Sequence, residues 1–189
     1  MKWPFLAGGE DQAALVPKGK PNFEEIVEAH YQSLYRFALS LARNEAEACD
    51  LTQQAFYLWA SRGHQLRDGE KAKAWLFTVL HREFIGARRR ENKFFHEEIS
   101  MLNQELPAPS FDAVNAMDGS SAMRCLKEVE ETYRAPLALF YLEDYSYKEI
   151  AQILKIPVGT VMSRLARGKQ QLRRLFLRET KQLEEKQNE

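Results

Sequence analysis

The stretch YSYKEIAQILKIPVGTVMSRLARGKQQLRR, residues 145–174, predicts two helices joined by a tight turn. Ser146 and Glu149 have the spacing of a capping box and precede the apolar series of the first helix. The turn is predicted at residues 155–157, and the second helix begins at about Val158. Its apolar residues recur at helical spacing and leave a polar, basic face on the outside. This layout is that of a helix-turn-helix, whose second helix enters the DNA major groove.

The second helix carries charge of one sign, because every charged residue from 159 to 178 is basic. A solvated surface helix usually mixes both signs, so this bias favours a phosphate partner. The alternative is an ordinary amphipathic hairpin with a solvated basic face. Candidate DNA contacts on this helix are Thr160, Ser163, Arg164, Arg167, Lys169, Arg173 and Arg174.

These candidates divide by the contact they are suited to make. Arg164 and Arg167 are candidates for base edges, because a guanidinium can pair bidentately with guanine. Lys169, Arg173 and Arg174 are candidates for phosphates, which add affinity but little sequence information. For these last three, a solvated helix end is the alternative.

The composition of the whole chain restricts its class. The 189 residues have a net charge of zero, with 27 basic and 27 acidic residues, but the charge is segregated: the first two predicted helices carry acids between Glu24 and Asp50, whereas the second helix of the helix-turn-helix is purely basic. Such a dipolar chain can meet DNA with one surface and a protein with another. Cys49 and Cys125 form no CxxC pair, which favours a reduced, cytoplasmic compartment. The histidines lack metal-ligand spacing and no apolar run approaches the ~20 residues of a membrane span, so no metal, cofactor or membrane insertion is expected.

The periodicity predicts an all-α fold of two small helical domains joined by a flexible linker. In the first domain, residues 22–94, Asn22 can cap the first of three helices. In the second, residues 121–178, Ser121 can cap a helix and Pro136 suits the first turn of another. The remaining segments are a flexible N-terminal tail at 1–21, the linker at 95–120 and a polar C-terminal tail at 179–189.

Three segments resemble one known family. They are DLTQQAFYLWAS (50–61), KAWLFTVLHREFIGARRR (73–90) and YRAPLALFYLEDYSYKEIAQILKIPVGTVMSRLARGKQQLRR (133–174). In this order and at this separation they resemble the extracytoplasmic-function sigma factors, which are bacterial transcription initiation factors. The resemblance implies two domains, similar to sigma region 2 and sigma region 4.

The resemblance implies a function without catalysis: the chain binds core RNA polymerase and gives it promoter specificity. The second domain then reads the minus-thirty-five element, the first recognises and melts the minus-ten element, and an anti-sigma factor is an implied partner. Implied opening-element contacts are Arg62, Arg67, Lys71, Lys73, Arg88, Arg89 and Arg90. Implied polymerase contacts are Asp50, Gln53, Gln54 and Tyr57.

Alternatives stay open at several of these positions. Trp75 can stack on an unpaired base, or it can belong to the core beside Leu76. The arginines at 88–90 can follow the DNA backbone or form a basic helix end that suits the helix dipole, and the face around Asp50 can simply be solvated. The alternative function is a stand-alone, dimeric helix-turn-helix regulator.

The chain departs from the family's pattern at a few positions. Family members commonly have an acid where Gln54 stands, and glycine in the turn where Lys155 stands. If the backbone at Lys155 is left-handed, lysine must accept a strain of roughly 1 kcal/mol. Gly86, inside a predicted helix, costs about 1 kcal/mol relative to alanine.

Overall fold

The computed structural model describes residues 22–63, 66, 69–98 and 119–187, and over these residues it is all-helical. The predictions for residues 1–21 and for most of the linker lie outside this range. The α-helices are α1 Phe23–Leu41, α2 Glu45–Arg62, α3 Ala72–Glu98, α4 Gly119–Glu128, α5 Glu131–Tyr141, α6 Tyr147–Leu154 and α7 Val158–Gln187. A 3-10 turn at Gly69–Lys71 leads into α3.

The first module consists of α1, α2 and α3. Asn22 caps α1 as predicted, because its side chain accepts from the backbone N–H of Glu25 at 2.8 Å while the Glu25 carboxylate accepts from the N–H of Asn22. Phe37 and Phe77 meet edge to face in the core, with ring centroids 5.0 Å apart. Phe23, the first residue of α1, is exposed, and the buried face of the helix begins at Ile26.

The second module consists of α4 to α7 and contains the predicted helix-turn-helix. Ser146 and Glu149 form the capping box of α6, in which the Ser146 backbone N–H donates to Glu149 Oε2 at 2.8 Å. Lys155 ends α6 in the left-handed region, with φ 56° and ψ 43°. Val161 and Leu165 bury one side of α7 against the preceding helices. The turn and both of its helices are therefore as the sequence predicts.

Helix boundaries differ from the prediction in the second module and at two helix ends. Ser121 lies inside the first turn of α4, which already starts at Gly119, so it is not the cap. Pro136 is the sixth residue of α5 and not part of a first turn, and both Ala135 and Pro136 are buried. Helix α3 continues to Glu98 and α7 to Gln187, beyond the predicted limits at 94 and 178.

The two modules pack directly against each other. Helix α1 contacts α4 and α5, and α3 contacts α6. Their buried apolar side chains form one continuous core that runs from Ile26 in α1 to Leu172 in α7. Among the described helices, none is long and apolar enough to span a membrane.

Candidate nucleic-acid and protein interfaces

The outward face of α7 is the first candidate interface. Ser163, Arg167, Arg173 and Arg174 are exposed on it, whereas Thr160, Arg164 and Lys169 are half-buried at its margins. The same face exposes Met162, with 54% of its surface accessible, and Gln170. Sequence reasoning passed over these two because it selected residues by charge and hydroxyl groups. Their position away from the side of the helical wheel that holds buried Val161 and Leu165 was the available signal.

Two of the basic residues of α7 lie close to other parts of the protein. The Lys169 ammonium lies over the Phe140 ring, 4.3 Å from its centroid, so α5 holds it by a cation–π contact. Arg164 lies near His81 of α3. Burial, together with this guanidinium, lowers the pKa of His81 to about 4, so His81 is neutral near pH 7. Arg164 therefore borders the first module in this arrangement.

Arg88 differs from the other two arginines of the cluster at residues 88–90. It is 6% exposed, and its guanidinium pairs with Glu47 at 3.1 Å, Glu91 at 3.0 Å and Glu131 at 3.4 Å. Three carboxylates from α2, α3 and α5 converge on one cation, so Arg88 is not available to a DNA backbone in this arrangement. Its neighbours Arg89 and Arg90 are exposed.

Lys73 is also occupied by a carboxylate. Its Nζ lies 2.8 Å from Oε2 of Glu143, which stands just beyond the end of α5. The same ammonium lies over the rings of Phe77 and Tyr145, 5.9 and 5.7 Å from their centroids. Burial, with the Glu143 and Glu149 carboxylates nearby, raises the pKa of Tyr145 well above its usual value. Tyr145 therefore stays a neutral phenol that packs on Phe77.

Two further opening-element candidates lie on the surface. Arg62 and Lys71 are exposed on either side of the loop after α2, and Arg67 lies outside the described residues. Trp75 is half-buried and packs edge to face on Trp59, with ring centroids 5.3 Å apart. Its ring therefore packs against the core, which is one of the two alternatives left open by the sequence; the other was stacking on an unpaired base.

One face of α2 forms the candidate protein interface. Asp50, Gln53, Gln54 and Tyr57 are all exposed on it, at the helical spacing that aligns side chains along one side. Tyr57 keeps 66% of its surface accessible. Tyr31 of α1 is also exposed and stacks on Phe56, with ring centroids 6.2 Å apart. It widens this face with an aromatic ring that the pattern within α2 alone did not indicate.

The described residues contain no group of three or more histidine, cysteine and acidic side chains placed to hold a metal ion. Neither Cys49 nor Cys125 is in a disulfide bond. The geometry thus defines a two-module helical protein with a helix-turn-helix and a separate acidic-polar face, a class suited to binding DNA and protein.

Comparison with known proteins identifies the family. The Sigma-70 region 2 family matches residues 26–94, and the Sigma-70 region 4 family matches residues 120–172. The chain is 30% identical over 161 residues to the ECF RNA polymerase sigma factor SigM of Bacillus subtilis (strain 168), which covers 82% of this chain and 95% of SigM. This protein belongs to the extracytoplasmic-function (ECF) sigma factor family.

Further relatives have the same description. SigL of Mycobacterium tuberculosis (strain CDC 1551 / Oshkosh) is 32% identical over 143 residues, which cover 74% of this chain and 80% of SigL. SigE of Mycolicibacterium smegmatis is 31% identical over 167 residues, which cover 86% of this chain. The chain spans 63% of the length of that SigE, so SigE has additional sequence without a counterpart here.

Two solved structures share the fold. The sigma factor RpoE in complex with the anti-sigma factor NepR, from Bartonella quintana, has a TM-score of 0.66 at 24% identity, over 82% of this chain and 96% of that one. CnrH in complex with the cytosolic domain of CnrY has a TM-score of 0.51 at 20% identity, over 82% and 86%.

Proposed function

We propose that this protein is an ECF sigma factor that binds core RNA polymerase and directs it to a specific set of promoters. The observation that carries the proposal is the presence of both sigma regions, in order, in a chain that aligns with 95% of SigM. It acts by binding and positioning, in the cytoplasm where the DNA is. A stand-alone regulator would need the helix-turn-helix but would leave the region 2 module without a role.

In this proposal, the outward face of α7 reads the upstream, minus-thirty-five element. Ser163 and Arg167 face outward in the N-terminal third of the helix and are suited to base edges. Met162 and Gln170 extend the same face. Both are suited to base contacts, because an apolar side chain can contact a thymine methyl and an amide can pair with adenine. Arg173 and Arg174 lie one to two turns further along, where phosphate contacts would fix the register of the helix.

The first module acts at the minus-ten element. Arg62 and Lys71 flank the loop after α2, and Arg89 and Arg90 supply exposed charge at the far end of the opening segment. Positive charge along one side attracts the DNA backbone as the strands part. Lys73 and Arg88 belong to the same segment, but each must be released from the carboxylates that it pairs with before it can contact DNA.

The polymerase-binding surface is the face of α2 with Asp50, Gln53, Gln54 and Tyr57, widened by Tyr31. Exposed aromatic rings are enriched in protein interfaces, and Asp50 can pair with a basic residue of the partner. An anti-sigma factor is the further proposed partner. It is supported by analogy, because the two solved structures that share the fold are complexes with NepR and CnrY.

Two variants separate these roles. Arg167→Ala should lower promoter-specific transcription while the affinity for core polymerase stays unchanged, because Arg167 lies on α7 and not on the α2 face. Asp50→Lys should weaken binding to core polymerase. If a folded Arg167→Ala protein lost as much affinity for core polymerase as the Asp50→Lys protein, this division of roles between α7 and α2 would be contradicted. Footprinting tests the alternative: protection of promoter DNA by the isolated protein, unaffected by core polymerase, would establish the stand-alone regulator instead.

A further inference from the structure

We propose that Lys155, in the turn between α6 and α7, binds a phosphate of the promoter DNA, and that lysine stands there for this contact although glycine would suit the backbone better. This inference rests on the function proposed above, which assigns the outward face of α7 to the upstream element. The other DNA contacts proposed for the second module all lie on α7 itself. Lys155 extends that surface onto the turn.

The backbone at Lys155 has a conformation that favours glycine. With φ 56° and ψ 43° it lies in the left-handed region, directly after a helix, where proteins most often place glycine. Among the described residues, Asp144 is the other non-glycine residue with a positive φ. An aspartate side chain is short enough to hydrogen-bond to the nearby backbone in this region, whereas a lysine side chain is not. The lysine therefore calls for an explanation beyond the geometry of the turn.

The side chain of Lys155 does not hold the turn in place. The backbone N–H groups of Lys155 and Ile156 both donate to the carbonyl of Ala151, the second at 3.1 Å. The Ile156 side chain packs against the core. Lys155 is exposed, and within the part of the chain that the structure describes its ammonium makes no hydrogen bond or ion pair. Backbone hydrogen bonds and Ile156 thus fix the turn, and glycine would serve it at least as well.

Helix dipoles do not account for the lysine either. The C-terminal end of α6 favours a cation, but α7 begins three residues later at Val158, and its N-terminal end disfavours one. The two effects oppose each other at Lys155. The charge of the surrounding sequence is more informative, because no acid occurs between Glu149 and Glu179. Lys155 therefore continues the basic character of α7, which favours a phosphate partner.

The turn lies where a helix-turn-helix meets the DNA backbone. The N-terminal residues of a recognition helix contact base edges, while the helix before it crosses the backbone. The major groove is about 12 Å wide and a helix with its side chains fills most of this width, so phosphates border the start of the inserted helix. Residues 157–159, which follow Lys155, are exposed. DNA can therefore come close enough for the ammonium, on its flexible four-carbon stem, to reach a phosphate.

The test uses the full chain assembled with core RNA polymerase and a fluorescent promoter fragment that the wild-type protein transcribes. Fluorescence anisotropy measures the affinity of this assembly for the fragment at about 50 and about 200 mM salt. Lys155→Gly removes the charge and relieves the strain, Lys155→Asn removes the charge and tolerates the left-handed region, and Lys155→Arg keeps the charge. Arg36→Gln removes an exposed cation from α1 and is the control for the loss of any single charge.

Lys155→Gly and Lys155→Asn should both weaken binding, whereas Lys155→Arg and Arg36→Gln should bind as the wild type does. One phosphate contact contributes about 0.9 to the slope of log affinity against log salt. The loss should therefore be about 3.5-fold larger at the lower salt concentration, which is the fourfold change in salt raised to the power of about 0.9. Lys155→Gly should also melt at a higher temperature than the wild type, so its weaker binding cannot come from a less stable fold.

Unchanged affinity of Lys155→Gly and Lys155→Asn at both salt concentrations would overturn the phosphate contact. A loss that does not depend on salt, or one that Arg36→Gln or Lys155→Arg reproduces, would overturn it as well. These results would leave the proposed function intact, because the transcripts of the wild-type protein establish it separately. If the wild type gave no transcript with core polymerase, the proposed function would fail, and this inference, which rests on it, would fail too.

Discussion

A Cβ atom added at Gly168 would lie 2.9 Å from Cδ1 of Leu137, because α7 passes α5 with no room for a side chain. It would also lie 3.0 Å from Cβ of Tyr133, which cannot move without its backbone. This contact fixes the position of the proposed recognition helix on the rest of its module. The glycine is therefore required by packing, although it stands within a regular helix.

Gly168→Ala should destabilise the protein. Overpacking costs about 1 to 3 kcal/mol, and the higher helix propensity of alanine returns about 1 kcal/mol of this. Gly159→Ala is the matched control, since a Cβ atom there meets nothing within 4 Å. It should leave the unfolding free energy unchanged or raise it by up to about 1 kcal/mol. Urea denaturation measures both, and equal stability of the two variants would contradict the close approach.

Lys155→Gly should stabilise the protein. Lys155 has φ 56° at the end of α6, a conformation that glycine adopts without the steric cost of a Cβ atom. After the greater chain entropy of glycine in the unfolded state is subtracted, we expect a gain of about 0.5 to 1 kcal/mol. Gln152→Gly, at an exposed position inside α6, should instead cost about 1 kcal/mol. Thermal melts measure both variants. If Lys155→Gly and Gln152→Gly shifted the melting temperature in the same direction, this account of the turn would be excluded.

Stability should fall on acidification between pH 7.5 and pH 5. Burial and Arg164 lower the pKa of His81 from 6.5 to about 4. Between these two pH values, the imidazole is therefore protonated in the unfolded chain but not in the folded chain. The stabilisation is full above pH 6.5 and is lost as the pH falls towards 4, by about 2 kcal/mol at pH 5. His30, whose pKa is lowered by burial and by Lys73, contributes in the same direction.

His81→Gln isolates the contribution of His81. The variant should lose about 2 kcal/mol less than the wild type between pH 7.5 and pH 5. Urea denaturation at the two pH values measures this difference. A variant with the same pH dependence as the wild type would show that His81 titrates normally in the folded protein.

Met162→Ala should change sequence preference, and Arg173→Ala should change affinity. Met162 is exposed on the outward face of α7 in the second turn of the helix, where its loss should flatten the preference at one base pair by about 1 kcal/mol. Arg173, if it holds a phosphate, should weaken binding to all sequences alike and reduce the salt slope by about one. Transcription from a set of single-base upstream-element variants distinguishes them. Identical profiles for the two variants would contradict the assignment.

Local features of the fold were predictable from the sequence. The capping box at Ser146 and Glu149, the cap at Asn22 and the turn at residues 155–157 all follow from contacts within a few residues. Pro136 was misplaced because its preference for a first turn is a local rule. Burial of the apolar residues around it overrides that rule and extends α5 back to Glu131.

Contacts between distant elements were not predictable. Arg88 was assigned together with Arg89 and Arg90, either to the DNA backbone or to a basic helix end, and neither alternative includes its burial among carboxylates. Its partner Glu131 is 43 positions away on α5 and becomes a neighbour only when the modules pack. Tyr31 similarly joins the α2 face through a ring contact with Phe56 that no periodicity within α2 encodes. The sequence was enough to outline the candidate surfaces. It was not enough to show which of their cations are paired with carboxylates within the protein.

The central claim is that this chain gives core RNA polymerase its promoter specificity, and run-off transcription with purified core enzyme on genomic promoter fragments tests it most directly. We expect discrete transcripts that require both the chain and the core enzyme, and that are lost with Asp50→Lys through lost polymerase binding. Protection of the same fragments by the chain alone, with no new transcript when core polymerase is added, would contradict the account.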